Sequence, residues 1–297
     1  MKKIISVLIC IAALCALTSC GNKEGEYRLS LGTVLSEDIG ELTVSGTSAA
    51  VVTDKAGKIL LCRLDCAEAK TDVTEKGVSG ATVEKTKYEM KDSYGMVEKG
   101  DAIAEWYKQV EYFENYVRGK TIVDIEKIKT GDAELSSGCT INVSDFVKAI
   151  SAAIKSDKKA DFTPDGDMTL GLGIGASVVD NGGNAEFLHD CAATVICNGK
   201  IVASVIDSAE ATVTVKNGKG DSFIYSGTKN ELGAKYGMVE KGGAIAEWYE
   251  QAKAYAKSAE GRSAEELSSL PVENVSGCTI DAEPLKAVLL RAVKNVR

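Results

Sequence analysis

Apolar side chains run in strand-like blocks over residues 49–64 and 191–206. Each block is broken once by turn formers, at Asp54-Lys55-Ala56-Gly57 and at Cys197-Asn198-Gly199-Lys200. Both blocks read as β-hairpins, and Asn198-Gly199 is the stronger signal because both residues tolerate the left-handed backbone of a tight turn. A further strand pair, turning near Asn217-Gly218-Lys219-Gly220, is expected after the second hairpin. The period then becomes helical. Ile103, Trp106, Tyr107 and Val110 fall on one face, as do Ile245, Trp248, Tyr249, Ala252 and Tyr255. Later stripes at Phe146, Val147, Ile150 and Ile154, and at Leu285, Val288, Leu289, Ala292 and Val296, predict two more amphipathic helices. Strands followed by helices, without strict alternation, predict an α+β fold in which helices pack on antiparallel sheet.

This pattern occurs twice because the chain is an internal duplication. Residues 94–109 read YGMVEKGDAIAEWYKQ and residues 236–251 read YGMVEKGGAIAEWYEQ, so 14 of 16 positions match at an offset of 142. Gly57-Lys58-Ile59 meets Gly199-Lys200-Ile201 at the same offset, and Asp65 meets Asp207. Near the end of each copy Ser137-Gly138-Cys139-Thr140-Ile141 matches Ser276-Gly277-Cys278-Thr279-Ile280, now at an offset of 139. Each copy has the length of a common domain. The expectation is two tandem homologous domains, residues 27–155 and 168–297, each with its own core. Polar residues 156–167, broken by Pro164 and Gly166, would link them.

The start of the chain changes the compartment. Lys2 and Lys3 precede an apolar run, Ile4 to Leu17, too short to span a bilayer and suited to an export signal. The segment Leu17-Thr18-Ser19-Cys20 resembles the lipobox of bacterial lipoproteins, which implies removal of residues 1–19 and lipidation of Cys20, with residues 20–26 as a tether. Loss of the two lysines leaves the mature chain at a net charge of −10, which argues against nucleic acid as a partner and against a polybasic membrane grip. The implied location is the extracytoplasmic face of a cell membrane, held by lipid. Six cysteines remain after processing: Cys62, Cys66, Cys139, Cys191, Cys197 and Cys278. None has CxxC spacing and the chain has a single histidine, His189, so no zinc site is expected. The cysteines read either as small buried side chains or as disulfide partners in an oxidising compartment. Cys62 and Cys66 are expected to share a strand face.

Candidate chemistry is sparse. One unduplicated histidine cannot supply a base to each copy, and it reads as an exposed loop or strand-edge residue. Gly171-Leu172-Gly173-Ile174-Gly175 has the wrong spacing for a phosphate loop. Glu98 and Glu105 read as solvated, and Asp65 and Asp207 as aspartates on the open face of a sheet. The aromatic residues Tyr94, Tyr236, Trp106 and Trp248 read as core, with flavin stacking as the functional alternative.

The repeated Ser-Gly-Cys-Thr segment is the best candidate. Glu134-Leu135-Ser136-Ser137-Gly138-Cys139-Thr140 and Glu273-Asn274-Val275-Ser276-Gly277-Cys278-Thr279 each precede a terminal helix, and each copy carries an upstream Gly-Lys-Ile strand. In this the chain resembles the FMN-binding domain family of bacterial Rnf and Nqr electron-transport subunits and extracytoplasmic flavolipoproteins. That family carries an acidic residue, two spacers and Ser-Gly-Ala-Thr; here Glu replaces the usual Asp and Cys replaces Ala. The resemblance implies FMN bound at Ser137, Gly138 and Thr140 and at Ser276, Gly277 and Thr279. Attachment is either noncovalent or through a threonine phosphoester installed by a flavin transferase. It further implies a redox partner, and a role as electron carrier or binding protein instead of a substrate-turning enzyme. Ser79-Gly80-Ala81-Thr82 spells the family motif but aligns with Asp221-Ser222-Phe223-Ile224, and it is expected at a hairpin turn. Read without the resemblance, Ser-Gly-Cys-Thr-Ile is a strand end leading into a helix capped by Asn142 or Asp281. A cofactor-free binding or structural lipoprotein is the alternative function.

Overall fold

A computed structural model describes residues 25–75 and 77–297; the signal segment, Cys20 and Lys76 lie outside the described residues. The described chain is α+β with antiparallel sheets. Copy one opens with three long strands, β1 (Tyr27–Asp38), β2 (Thr43–Asp54) and β3 (Ile59–Lys70), followed by the short strands β4 (Val73–Thr74), β5 (Gly77–Val78) and β6 (Ala81–Thr82). Its helices are α1 (Lys87–Met90), α2 (Met96–Gly100), α3 (Trp106–Tyr116), α4 (Ile122–Ile125) and α5 (Ser144–Lys155). The short strand β7 (Ala160–Phe162) precedes copy two, which has strands β8 (Met168–Asn181), β9 (Asn184–Cys197), β10 (Lys200–Lys216) and β11 (Lys219–Tyr225). Helices α6 (Lys229–Leu232), α7 (Met238–Gly242), α8 (Trp248–Ser258), α9 (Ala264–Ser268) and α10 (Glu283–Lys294) complete it.

The expected hairpins form. Asn198-Gly199 and Asn217-Gly218 both hold positive φ at the two central positions, the backbone that matches the twist of the flanking strands. The first sheet has the order β3-β2-β1-β7 and the second β11-β10-β9-β8-β6. Clusters of buried side chains arrange these sheets and their helices in layers. Val51, Leu64, Phe113 and Ile150 belong to the core between the first sheet and its helices, and Ile206, Tyr255, Leu285 and Leu289 to the matching core of copy two. Between the sheets, Leu29, Leu31, Ala50 and Val52 meet Leu170, Leu172, Ile174, Ala193 and Val195. The copies therefore do not keep wholly separate cores, because both faces of their central strands are apolar and the second face of each sheet is covered by the other. Strands buried on both faces read as continuous apolar runs, which hides this in the sequence.

The glycine run of β8 serves this layering. Leu170, Leu172 and Ile174 face the first sheet. Gly171 and Gly173 lie under α10, where a Cβ added at Gly171 would collide with the Ala292 carbonyl oxygen and one at Gly173 with that of Val288. Gly32 plays the same part under α5.

Several expectations are corrected. Residues 156–167 are not all linker, since Ala160–Phe162 pairs with Tyr27–Leu29 and Phe162 enters the inter-sheet core. Ser79-Gly80-Ala81-Thr82 is not a hairpin turn: Ala81 and Thr82 cross to the edge of the second sheet and pair with Val178 and Ser177. Ile103 and Ile245 do not join the apolar helix faces. Glu105 and Glu247 adopt extended backbone, so the helices begin at Trp106 and Trp248 and leave the two isoleucines 58% and 68% exposed. The six described cysteines are free and buried, and Cys62 and Cys66 share the face of β3 that packs under the helices.

Candidate functional site

The two Ser-Gly-Cys-Thr loops are built around a buried glutamine on the first turn of each long helix. Gln109 and Gln251 are fully buried, because Trp106 and Trp248 begin α3 and α8 and turn that helix face to the core. In copy one the Gln109 carbonyl oxygen accepts from Thr140 N (2.8 Å), Thr140 Oγ1 (3.2 Å) and Ile141 N (3.3 Å). In copy two Gln251 accepts from Thr279 N (2.8 Å), Thr279 Oγ1 (3.0 Å) and Ile280 N (3.2 Å). Each glutamine uses its NH₂ group on the preceding loop, donating to the Ala104 oxygen at 2.7 Å and the Ala246 oxygen at 2.9 Å. One carboxamide thus ties the threonine loop to the loop that carries the exposed Ile103 or Ile245. Thr140 and Thr279 are themselves exposed. Each hydroxyl spends its hydrogen on glutamine and keeps its oxygen lone pairs at the surface.

The loops differ next to the threonine. In copy one Tyr112 lies so close against Gly138 that an added Cβ would collide with the ring. Its hydroxyl is 2.7 Å from Ser137 Oγ and donates to the Glu134 oxygen at 3.1 Å. In copy two Ala254 takes the position of Tyr112 at the offset of 142. Gly277 forms a tight turn there at φ +81°, where glycine avoids the Cβ strain of a left-handed backbone. The Cys278 N–H closes that turn on the Val275 oxygen at 2.9 Å, and Ala254 is the nearest side chain to Gly277. Copy one is covered by a tyrosine and copy two is open.

One amide at the start of each following helix is bonded by a side chain. Asn142 Oδ1 accepts from Ser144 N at 2.9 Å, and Asp281 Oδ1 from Glu283 N at 3.0 Å. The expected caps are corrected: Asn142 and Asp281 lie one residue before the N-cap positions, Val143 and Ala282, and each holds only the first amide of α5 or α10. Burial pushes the Cys139 thiol up to about 11 and raises that of Cys278, so both cysteines are neutral packing groups.

Other duplicated polar residues were misplaced by sequence reasoning. Glu105 is buried, not solvated, and its carboxylate accepts from Met96 N (2.9 Å) and Val97 N (3.1 Å). Glu247 does the same for Met238 N and Val239 N, at 2.9 and 3.2 Å. Glu98 is exposed as expected. Asp65 and Asp207 do not lie on an open face. Asp65 accepts from Thr86 Oγ1 (2.5 Å), Cys66 N (2.7 Å) and Tyr88 N (3.0 Å), and Asp207 from Ser208 N (2.8 Å), Asn230 N (3.0 Å) and the Thr228 hydroxyl. Burial pushes their carboxyls up to about 6 and about 7, even though those donors favour the ionised form. The available signal was the pair of capping boxes Thr86-x-x-Glu89 and Thr228-x-x-Glu231, which recur at the same offset of 142 as the aspartates.

His189 is buried between the sheets, not exposed. Its Nε2 lies 2.9 Å from Ser48 Oγ, which lies 2.8 Å from Thr33 Oγ1. A serine beside a histidine has the ingredients of a nucleophile and its base, but Ser48 is fully buried and no substrate reaches it. Burial lowers the His189 pKa to about 4, so the ring is neutral. Among the described residues there is no group of ligands able to hold a metal ion, and no helix is long and apolar enough to cross a membrane.

No family model matches the chain, and no solved structure matches it. A chlorophenol reductase of Desulfitobacterium hafniense is 28% identical over 94 residues. That likeness covers 27% of this chain and 29% of the reductase, so the chain spans under a third of the curated relative it matches.

Proposed function

We propose that the chain is a lipid-anchored, extracytoplasmic FMN-binding protein that acts in electron transfer. It would consist of two tandem homologous units, residues 27–155 and 168–297, with Cys20 as the lipid site. The observation that carries the reading is the repeated threonine loop. In both copies an exposed threonine, two residues after a glycine, sits on a loop held by one buried glutamine that also ties it to the loop before the long helix.

These residues fit a flavin phosphate at the outer face of the threonine. A transferase using an activated flavin dinucleotide would exchange the hydroxyl hydrogen for the FMN phosphoryl group. That step would break the donor's pyrophosphate bond and release its nucleoside monophosphate with the proton. The two backbone N–H bonds to glutamine would still hold the loop. Gly277 keeps the backbone near Thr279 free of side-chain bulk, whereas in copy one the Tyr112 ring lies against Gly138. The bound flavin would supply the redox chemistry, while the chain supplies position and surroundings. Copy two, with Ala254 in place of Tyr112, is the more accessible site. A likeness to part of a protein named a reductase accords with redox work.

A cofactor-free binding or structural lipoprotein is favoured by one observation: the glutamine bonds alone explain why threonine recurs. The test is the visible absorption spectrum of protein purified from membranes of its native host, which provides any flavin transferase. The flavin reading expects a yellow, reducible protein that turns colourless in the Thr140→Val/Thr279→Val variant. A colourless wild-type protein contradicts it.

A further inference from the structure

Each copy has a groove between its third long strand, its capped short helix and its long helix, and the segment after the other copy's last helix runs into it. In copy one this segment brings Arg297 over the Tyr88 ring, 3.5 Å from its centroid. The guanidinium pairs with buried Glu114 at 2.5 Å, and Glu114 also contacts Arg63 at 3.4 Å. The groove is filled by a cation resting on an acid.

Copy two keeps the geometry and changes the contents. Lys158, which matches Arg297 at the offset of 139, stands over the Tyr249 ring at 4.5 Å. The rest of the groove remains a cavity of about 490 Å³. The cause is visible in the repeat: Val205 occupies the position of Arg63, Asn230 that of Tyr88, and Ala256 that of Glu114. The charges change as well, since Lys253 stands where copy one has Glu111 and Lys257 where it has Asn115. Lys158, Lys159, Lys253 and Lys257 line the cavity together with Asp157, Asp161 and Glu260. Each acid is already paired, Asp157 with Lys158 (2.7 Å), Asp161 with Arg28 (3.1 Å) and Glu260 with Lys257 (3.2 Å). The same pairs engage Lys158 and Lys257, while Lys159 and Lys253 have no ion-pair partner among the described residues, and the Asp161 partner, Arg28, is a further cation nearby. On a chain of net charge −8 this is a local surplus of positive charge around an apolar wall and a buried Asn230.

We propose that this cleft binds a small organic anion, its charged head at Lys253 and Lys257 and its apolar body against Val205, Ala256 and Tyr249. The volume lies within the range of small-ligand pockets. Among the described residues no segment fills it: residues 157–161 form its wall, and Arg297 occupies the twin groove. A cation is disfavoured because the acid that holds Arg297 has become alanine. The proposal does not rest on flavin at Thr140 or Thr279.

The test uses the mature chain carrying Cys20→Ser, which needs no detergent, titrated with the aromatic sulfonate 8-anilinonaphthalene-1-sulfonate. One saturable site per chain is expected. The surface pair Lys253→Glu/Lys257→Asn, which moves both positions to or toward the copy-one charge pattern, should weaken binding about tenfold, because two favourable charge contacts are lost. Ala256→Trp should abolish binding by filling the cavity. Circular dichroism checks that both variants remain folded, and the surface pair decides the matter if Ala256→Trp does not. Binding by the folded surface pair within about twofold of the parent overturns the proposal, as does the lack of any saturable site.

Discussion

Replacing Gln251 by leucine tests whether a single carboxamide holds the candidate loop. The side chain keeps similar bulk and stays buried, but four hydrogen bonds disappear: three accepted from Thr279 and Ile280 and one donated to Ala246. At about 0.5–1.5 kcal/mol each, the gross loss is roughly 2–6 kcal/mol. The loop is partly exposed, so water can replace some of these partners, and the leucine gains apolar burial. A net loss of about 2–4 kcal/mol is expected. Thr279→Val removes only the hydroxyl bond and should cost about 0.5–1.5 kcal/mol. Urea denaturation of both variants gives the order, and amide exchange at Thr279 and Ile280 locates the effect. Equal destabilisation by the two variants, or unchanged exchange at those amides in Gln251→Leu, would refute the role given to glutamine.

Further outcomes follow from the buried groups. Carboxyl NMR titrations should place Asp65 at about 6 and Asp207 at about 7. These raised values make their contribution to stability greatest below the ordinary carboxylate range and smaller as pH rises through 6 to 7, so Asp207→Asn should flatten that fall. His189 acts in the opposite sense: its lowered pKa means stability present above pH 6.5 is lost as pH falls toward 4, and a neutral replacement should remove that loss. Gly173→Ala should lower stability by about 2 kcal/mol or more because α10 must move. Gly175→Ala, whose added Cβ meets only a Val288 methyl at 3.4 Å, should cost far less in the same thermal melts. The six buried thiols should resist a thiol reagent in the native protein and all react after denaturation.

The duplication, the hairpins and the terminal helices were legible because each has a local signature: Asn-Gly turns, helical spacing, a repeated block. The face-to-face packing of the copies was not, since a strand apolar on both faces has no alternation to reveal which neighbour covers it. The same long-range effect put His189 and Ser48 in the interior, where Gly46 admits the imidazole; a Cβ there would collide with Nδ1. At the candidate site the threonines and glycines stood out by their motif, but their support did not. Gln109 and Gln251 are the last residues of the repeated block, and only folding brings them 31 and 28 positions along the chain to Thr140 and Thr279. Glu105 was read as a surface charge because a carboxylate bonded to backbone amides looks, in sequence, like any other glutamate.

Peptide-level mass spectrometry of the protein from its native host tests the flavin assignment most directly. Peptides carrying Thr140, Thr279 or both should be heavier by one FMN less one water, with Thr279 the more fully modified because Ala254 leaves it open. The peptide carrying Thr82 should have its unmodified mass. Unmodified Thr140 and Thr279 peptides from a protein that also lacks bound flavin would contradict the assignment, and so would FMN found on Thr82.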